Sequence, residues 1–236
     1  FEPYVNDRTR LVSVSWVSHQ NGFRHDLKGL SALAHAHGAY LYADSIQALG
    51  MFPTNLHDEG VDFATSGTYK WLLGSFGVAP FYVREEHLDL IEADRLGFLA
   101  IKEEKSVHDF VLYDDARKYE YSTLAFGPIY QLGASLEYLK GVGLDRIERH
   151  TVALAHRMRD ALRERGYKVR TPAENGSSIV AFWHGKDPQA AQTMFDVANV
   201  KVSFREGGTQ IRAGAALFNN ESDVDRFLEV VDRLSE

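Results

Sequence analysis

LVSVSWVSHQNGFRHDLKGLSALAHAHGAYLYAD, residues 11–44, decides the fold class. Its opening LVSVSWV (11–17) is apolar and β-branched and reads as a buried strand. The stretch 26–38 then places apolar residues at helical spacing, with Asp26 positioned to cap the first turn and Gly38 to end the last. AYLYAD (39–44) reads as a second strand that finishes on Asp44. A strand, a helix and a strand with short connections make a βαβ unit, because parallel neighbours need a crossover segment between them.

The same patterning extends outward. VDFAT (61–65) and VAPFYV (78–83) read as further strands, although Pro80, which has no N–H to give a ladder, is awkward in a central one. Residues 129–139 turn helical, and 145–166 predict a long amphipathic helix with its charges outward. Beyond it YKVRT, SSIVAFW, KVSFR and QIRAGA read as short strands, and ESDVDRFLEVVDRL (221–234) as a terminal helix. The expectation is an α/β domain over residues 1–140 with a mainly parallel sheet, followed by a small α+β domain over 141–236.

Composition narrows the function. Of the 236 residues 44% are hydrophobic, ample for a packed core. No apolar run approaches the roughly 20 residues needed to cross a bilayer, so the expectation is a cytoplasmic protein without a membrane partner. A net charge of -7 disfavours nucleic acid, which asks for clustered positive charge, and favours a small-molecule partner. With no cysteine, these residues offer neither thiolate metal ligands nor a thiol nucleophile. The HAH run at 35–37 falls on a predicted surface helix, and no metal site is assigned there.

Lys70 stands between two aromatic residues in TSGTYKWLLGSFG (65–77), a run otherwise almost free of charge. A lysine usually belongs to a solvated face. Yet ligands of open parallel sheets gather beyond the carboxyl ends of the strands, where Asp44 and, just past VDFAT, Lys70 both fall. One reading is an ion pair. The other is the pair of handles that pyridoxal phosphate requires: an amine to form a Schiff base with its aldehyde, and a carboxylate to keep its pyridine nitrogen protonated.

Five ordered segments carry a resemblance that separates these readings. YLYADSIQALG (40–50) resembles the Asp-x-x-Gln signature of the class V aminotransferase and cysteine desulfurase superfamily, which are fold-type I pyridoxal-phosphate enzymes. VDFATSGTYKWLLGSFGVAPFYVR (61–84) is similar to that family's Schiff-base lysine segment. LVSVSWVSHQNG (11–22) is similar to its strand before the first helix, KYEYSTLAF (118–126) to its Glu-x-Gly-Thr segment, and IRAGAALFNNESDVDRFL (211–228) to its terminal Arg-x-Ser and Asn motif. Isopenicillin N epimerase-like and kynureninase-like relatives share the pattern.

The resemblance implies residue roles. Lys70 is the Schiff-base lysine and the proton carrier at the substrate Cα; Asp44 pairs with the pyridine nitrogen, and Gln47 bonds the phenolic oxygen. Thr68 and Tyr69 offer hydroxyls to the phosphate, Thr123 reaches the phosphate of a neighbouring subunit in a homodimer with composite sites, and His19 faces the cofactor. Arg212 clamps the carboxylate of a small amino-acid substrate, with Arg205 a nearby rival. Trp71 reads as packing. The departures lie at Gly67, Thr68 and Tyr69, where many members have Ser-Gly-His, at His19 in place of an asparagine, and at Ser122 in place of a glycine.

The family's large domain normally starts well before the equivalent of Phe1, so the resemblance implies the distal part of such an enzyme. The absence of cysteine between Lys70 and Arg212 disfavours persulfide chemistry. The implied function is a pyridoxal-phosphate-dependent, aminotransferase-like enzyme. An amino-acid epimerase, a C–S lyase and a non-catalytic domain of the same fold are the alternatives.

Overall fold

In a computed structural model describing residues 1–234, the chain divides into two compact units. The first holds Phe1–Val14, Asp26–Leu49 and Thr54–Tyr138; the second holds Ser15–His25, Gly50–Pro53 and the chain from Leu139 onward.

The first unit is built on β1 (Leu11–Ser15), α1 (Leu27–Ala36), β2 (Tyr40–Asp44), β3 (Phe63–Thr65) and β4 (Phe81–Val83). The strands form one sheet in the order β1-β2-β3-β4, with β2 and β3 parallel and β4 antiparallel to β3. The Asp26 carboxylate caps α1 by accepting from the Gly29 N–H at 3.0 Å, and Leu27 and Ala34 turn its apolar stripe inward. Leu41 and Ala43 alternate into the core from β2. The strand expected over 78–83 begins only at Phe81, so Pro80 falls outside the ladder that its missing N–H would interrupt; in the four-stranded sheet this strand is last in the order. A hairpin of β5 (Ile101–Ser106) and β6 (Asp109–Leu112) and most of the helix α2 (Phe126–Val142) complete the unit.

A buried carboxylate ties this unit together. Asp62 accepts hydrogen bonds from the Leu41 N–H at 2.7 Å and faces His35 Nε2 at 2.8 Å and His87 Nε2 at 2.7 Å. Burial alone would raise its pKa, but the bonds from His35, Leu41 and His87 outweigh it and hold the carboxyl below its ordinary value. A carboxyl depressed in the folded state stabilises the fold above the unfolded pKa, and that stabilisation is lost as pH falls through the lowered folded value. Asp62→Asn should therefore melt lower than wild type at neutral pH, by about 2 kcal/mol. Its stability should also fall less steeply than wild type below about pH 4, as read from urea unfolding; parallel acid limbs for the two proteins would refute the assignment.

The second unit comprises α3 (Leu144–Glu164), β7 (Lys168–Val169), β8 (Ile179–Trp183), α4 (Pro188–Val197), β9 (Ser203–Arg205), β10 (Gln210–Gly214) and α5 (Glu221–Leu234). Its sheet, in the order β7-β8-β10-β9, is antiparallel throughout. One face presents Val180, Phe182, Ile211 and Ala213 to Leu154, Met158, Phe195, Phe227 and Val231 of the helices. The apolar faces of α3 and α5 are the ones their sequence periodicity predicts.

Two short segments before Lys140 belong with this second unit. Trp16 meets Phe52 edge-on at 5.2 Å, and the Arg24 guanidinium lies 3.6 Å from the Phe52 ring while bonding Glu148 at 2.7 Å. The Ser177 hydroxyl donates to the Gly22 carbonyl at 2.7 Å. These contacts explain why β1 stops at Ser15 rather than running to Val17. Among the described residues, no helix is long and apolar enough to cross a membrane.

Candidate active site

In the first unit, β2 and β3 are parallel and in register, so Asp44 and Thr65 stand side by side at their carboxyl ends. The Ser45 N–H donates to the Thr65 carbonyl at 2.8 Å, which joins the two ends. Asp44 Oδ1 accepts from the Ile46 N–H at 3.0 Å, an Asx turn that fixes the carboxylate. Its Oδ2 makes no hydrogen bond to the described residues. Gln47 follows on the same turn, 8% exposed, and its carboxamide also makes no hydrogen bond within the described residues.

The segment after β3 holds Lys70 on a braced turn. The Leu73 N–H donates to the Lys70 carbonyl at 3.0 Å, and the Gly74 N–H to the Thr68 carbonyl at 2.9 Å. Leu73 takes a positive φ of 54°, and its carbonyl accepts from the Ser135 hydroxyl at 2.9 Å. Lys70 itself is half-buried. Trp71 is only half-buried, and it is Leu72 that enters the core.

Thr68 differs from its expected role. It is fully buried, and its hydroxyl serves the carbonyls of Ser75 at 2.6 Å and Val78 at 3.0 Å. In this arrangement its single hydroxyl proton serves to close the Lys70 loop and is not offered to a phosphate. Tyr69 points the other way, 44% exposed and stacked on Phe76 with ring centroids 4.5 Å apart. A methyl group at Gly67 would come within 2.8 Å of the Tyr69 ring and 2.9 Å of Ile46, so the missing side chain is what lets those two pack against the backbone there. Thr123 is exposed, and no described hydrogen bond ties it to the strand ends.

In the second unit the structure brings together His19 and Arg212, which lie 193 residues apart in sequence. Arg212, on β10, donates from Nη1 to the His19 carbonyl at 2.9 Å and from Nη2 to the Ser203 hydroxyl at 3.1 Å. The His19 contact comes from its backbone, and its side chain is exposed. Burial, with a smaller contribution from the nearby Arg205 charge, lowers the Arg212 pKa. Both of its described partners are neutral oxygens. Arg205 is exposed on β9. The sequence motifs do not single out Gln210, although its spacing of two from Arg212 puts it on the same face of β10.

These arrangements can perform distinct tasks. The first unit offers an amine on a rigid turn, a carboxylate with one unengaged oxygen and an unpaired carboxamide. The second offers a desolvated guanidinium without a carboxylate partner among the described residues. No group of three or more His, Asp or Glu side chains among those residues is arranged to hold a metal ion.

The family model described as aminotransferase class-V matches residues 1–227. An uncharacterized aminotransferase of Bacillus subtilis, YcbU, is 26% identical over 98% of this chain and 61% of its own length. A probable cysteine desulfurase of Halalkalibacterium halodurans is 26% identical over 100% of the chain and 60% of its own length. Among solved structures, a cysteine desulfurase from Thermococcus onnurineus superimposes with a TM-score of 0.87 at 26% identity, covering 95% of this chain and 60% of that protein. The chain thus spans about three-fifths of the length of these relatives. The expected α/β architecture of a fold-type I large domain is borne out by this likeness.

Proposed function

This chain belongs to the aminotransferase class-V family, and on that premise we propose that it acts, as part of a pyridoxal-phosphate enzyme, at the Cα of a small amino acid. One observation carries the reading. The carboxylate of Asp44 is fixed through Oδ1, at the carboxyl end of a strand whose parallel neighbour leads to Lys70, while Oδ2 has no structural task. A scaffold has no use for that arrangement, and a protonated pyridine nitrogen does. The donor set fits the cofactor in one further respect: the Gln47 carboxamide, on the turn after Asp44, makes no hydrogen bond within the described residues.

Pyridoxal phosphate, when bound, supplies an aldehyde that captures amines and a ring that accepts the electron pair released at Cα. This chain's residues hold and steer it. Lys70 Nζ would be the cofactor's covalent anchor and would hold the proton exchanged at the substrate Cα. Asp44 would hold the pyridine nitrogen and, as a carboxylate, would favour its protonated form. Gln47 donates to the phenolic oxygen, Tyr69 offers its hydroxyl to the phosphate, and His19 lies beside the carboxylate ligand Arg212. A guanidinium whose described partners are all neutral is suited to take the substrate carboxylate in a bidentate grip. Thr68 shapes the loop.

Thr123 is assigned to the phosphate site of a second copy, making the working unit a homodimer. The exposed Phe126, Tyr130 and Tyr138 of α2 supply apolar surface for such an assembly. Sedimentation of the full-length protein should give twice the chain mass, and a monomer would contradict this part of the reading.

Aminotransfer is favoured over sulfur transfer. Several relatives are named cysteine desulfurases, which supports C–S lysis as a second reading, but residues 1–236 contain no cysteine to receive sulfur. The test is to incubate the cofactor-loaded protein with amino acids in deuterium oxide. Aminotransfer yields pyridoxamine phosphate and a keto acid. Cα exchange with neither product would replace aminotransfer by racemisation, and released sulfide would replace it by C–S lysis.

A further inference from the structure

Four cations share one face of the second unit's sheet. The register pairs Lys168 with Trp183, Trp183 with Gln210, and Gln210 with Arg205; it pairs Arg212 with both Ala181 and Ser203. Directly opposed residues project to the same side, so Lys168, Arg205 and Arg212 lie on the face opposite Phe182 and Ile211. Arg170, two residues beyond Lys168, joins them, its N–H donating to the Ala181 carbonyl at 2.7 Å.

Two of the four meet an acid or an aromatic ring, whereas Arg212 donates only to the neutral oxygens of His19 and Ser203. Arg170 bonds Glu206 at 3.1 Å and Gln20 at 2.7 Å, and the Lys168 ammonium lies 4.7 Å from the Trp183 ring centroid. Arg205 and Arg212 have no carboxylate partner among the described residues. Acidic residues are not scarce, since the chain has 33 Asp and Glu against 26 Lys and Arg. Between the two guanidinium-bearing positions stands Gln210, opposite Arg205 and two residues from Arg212. It is 1% exposed, and its Nε2 is buried without a hydrogen-bond partner. Two like charges and an orphaned donor side by side are unfavourable unless an anion satisfies them.

We propose that this face selects a dicarboxylic amino acid, with Arg212 taking the α-carboxylate and Arg205 the acidic group of the side chain. This rests on the function proposed above. Diagonal neighbours on an antiparallel pair are roughly 7–8 Å apart, close enough for their two long side chains to grip the two carboxylates of one small amino acid. Arg205 is exposed on a long flexible stem, and so it can close on the distal group after Arg212 has fixed the near one.

The test uses the full-length, cofactor-loaded protein and follows its visible spectrum during titration with L-glutamate or L-glutamine. Wild type should bind glutamate about tenfold more tightly than glutamine. In Arg205→Gln that ratio should fall to about one, and Arg205→Lys should restore part of it. Arg212→Gln should weaken both amino acids. In the cofactor-free protein, glutarate should raise the melting temperature more than butyrate in wild type and no more than butyrate in Arg205→Gln. Equal affinities in wild type, or a ratio that survives Arg205→Gln while both amino acids still perturb the spectrum, would overturn the dicarboxylate assignment alone. A spectrum that responds to no amino acid would overturn it together with the function on which it rests.

Discussion

Lys70→Ala should leave the fold and lose at least about a thousandfold in turnover. The fold should survive because several bonds that brace the Lys70 loop are untouched by the substitution. Thr68 closes it through the carbonyls of Ser75 and Val78, Ser135 braces the Leu73 carbonyl, and the backbone turn runs from Lys70 to Leu73. What alanine removes is the covalent anchor and the group that carries the Cα proton. Lys70→Arg should fare no better, because a guanidinium does not give up its proton near neutral pH and cannot act as the base. The comparison needs melting temperature, cofactor content and turnover on one preparation of each protein. A folded Lys70→Ala variant turning over within tenfold of wild type would remove Lys70 from the mechanism.

The second large effect is expected at Asp44, where two substitutions separate structure from charge. Asp44 Oδ1 accepts from the Ile46 N–H, so Asp44→Ala loses that turn bond and should destabilise the protein by about 1 kcal/mol. Asp44→Asn keeps an acceptor for Ile46 but loses the negative charge. Both variants should lose about a hundredfold in turnover, because an uncharged group no longer favours the protonated pyridine. Only the alanine variant should melt measurably lower. An asparagine variant with wild-type turnover would show that Oδ2 faces something other than a positively charged nitrogen.

The parts of the molecule visible in its sequence are those whose burial is periodic. Residues 11–44 alternate or step at helical spacing because α1, β1 and β2 each bury one side, and α3 and α5 carry the same signal. The β5–β6 hairpin carries none, since in IKEEKS only Ile101 is even half-buried. The helix α4 is a different omission. Asp187 caps it through the Ala190 N–H at 3.0 Å, and Pro188 opens its first turn, so the start signal was present without a long apolar stripe behind it.

At the candidate site, residue types were legible and directions were not. Lys70, Asp44 and Gln47 follow from strand ends and motif. The inward turn of Thr68 depends on where the carbonyls of Ser75 and Val78 lie, which is a property of the folded loop. The HAH run reads as a solvated helix face, yet His35 reaches Asp62 from 27 positions away, and His37 reaches Asp7 at 2.8 Å. The nearness of Arg205 and Arg212 comes from the strand register, which sets Arg205 opposite Gln210 and Arg212 opposite Ser203, and seven positions of sequence do not show it.

The most direct measurement is chemical. The full-length protein, reconstituted with pyridoxal phosphate, is reduced with borohydride and digested, and the labelled peptide is sequenced by mass. The covalent anchor assigned here places the phosphopyridoxyl group on the side chain of Lys70, within TSGTYKWLLGSFG. A label on any other lysine, or none on a protein that retains the cofactor, would contradict it.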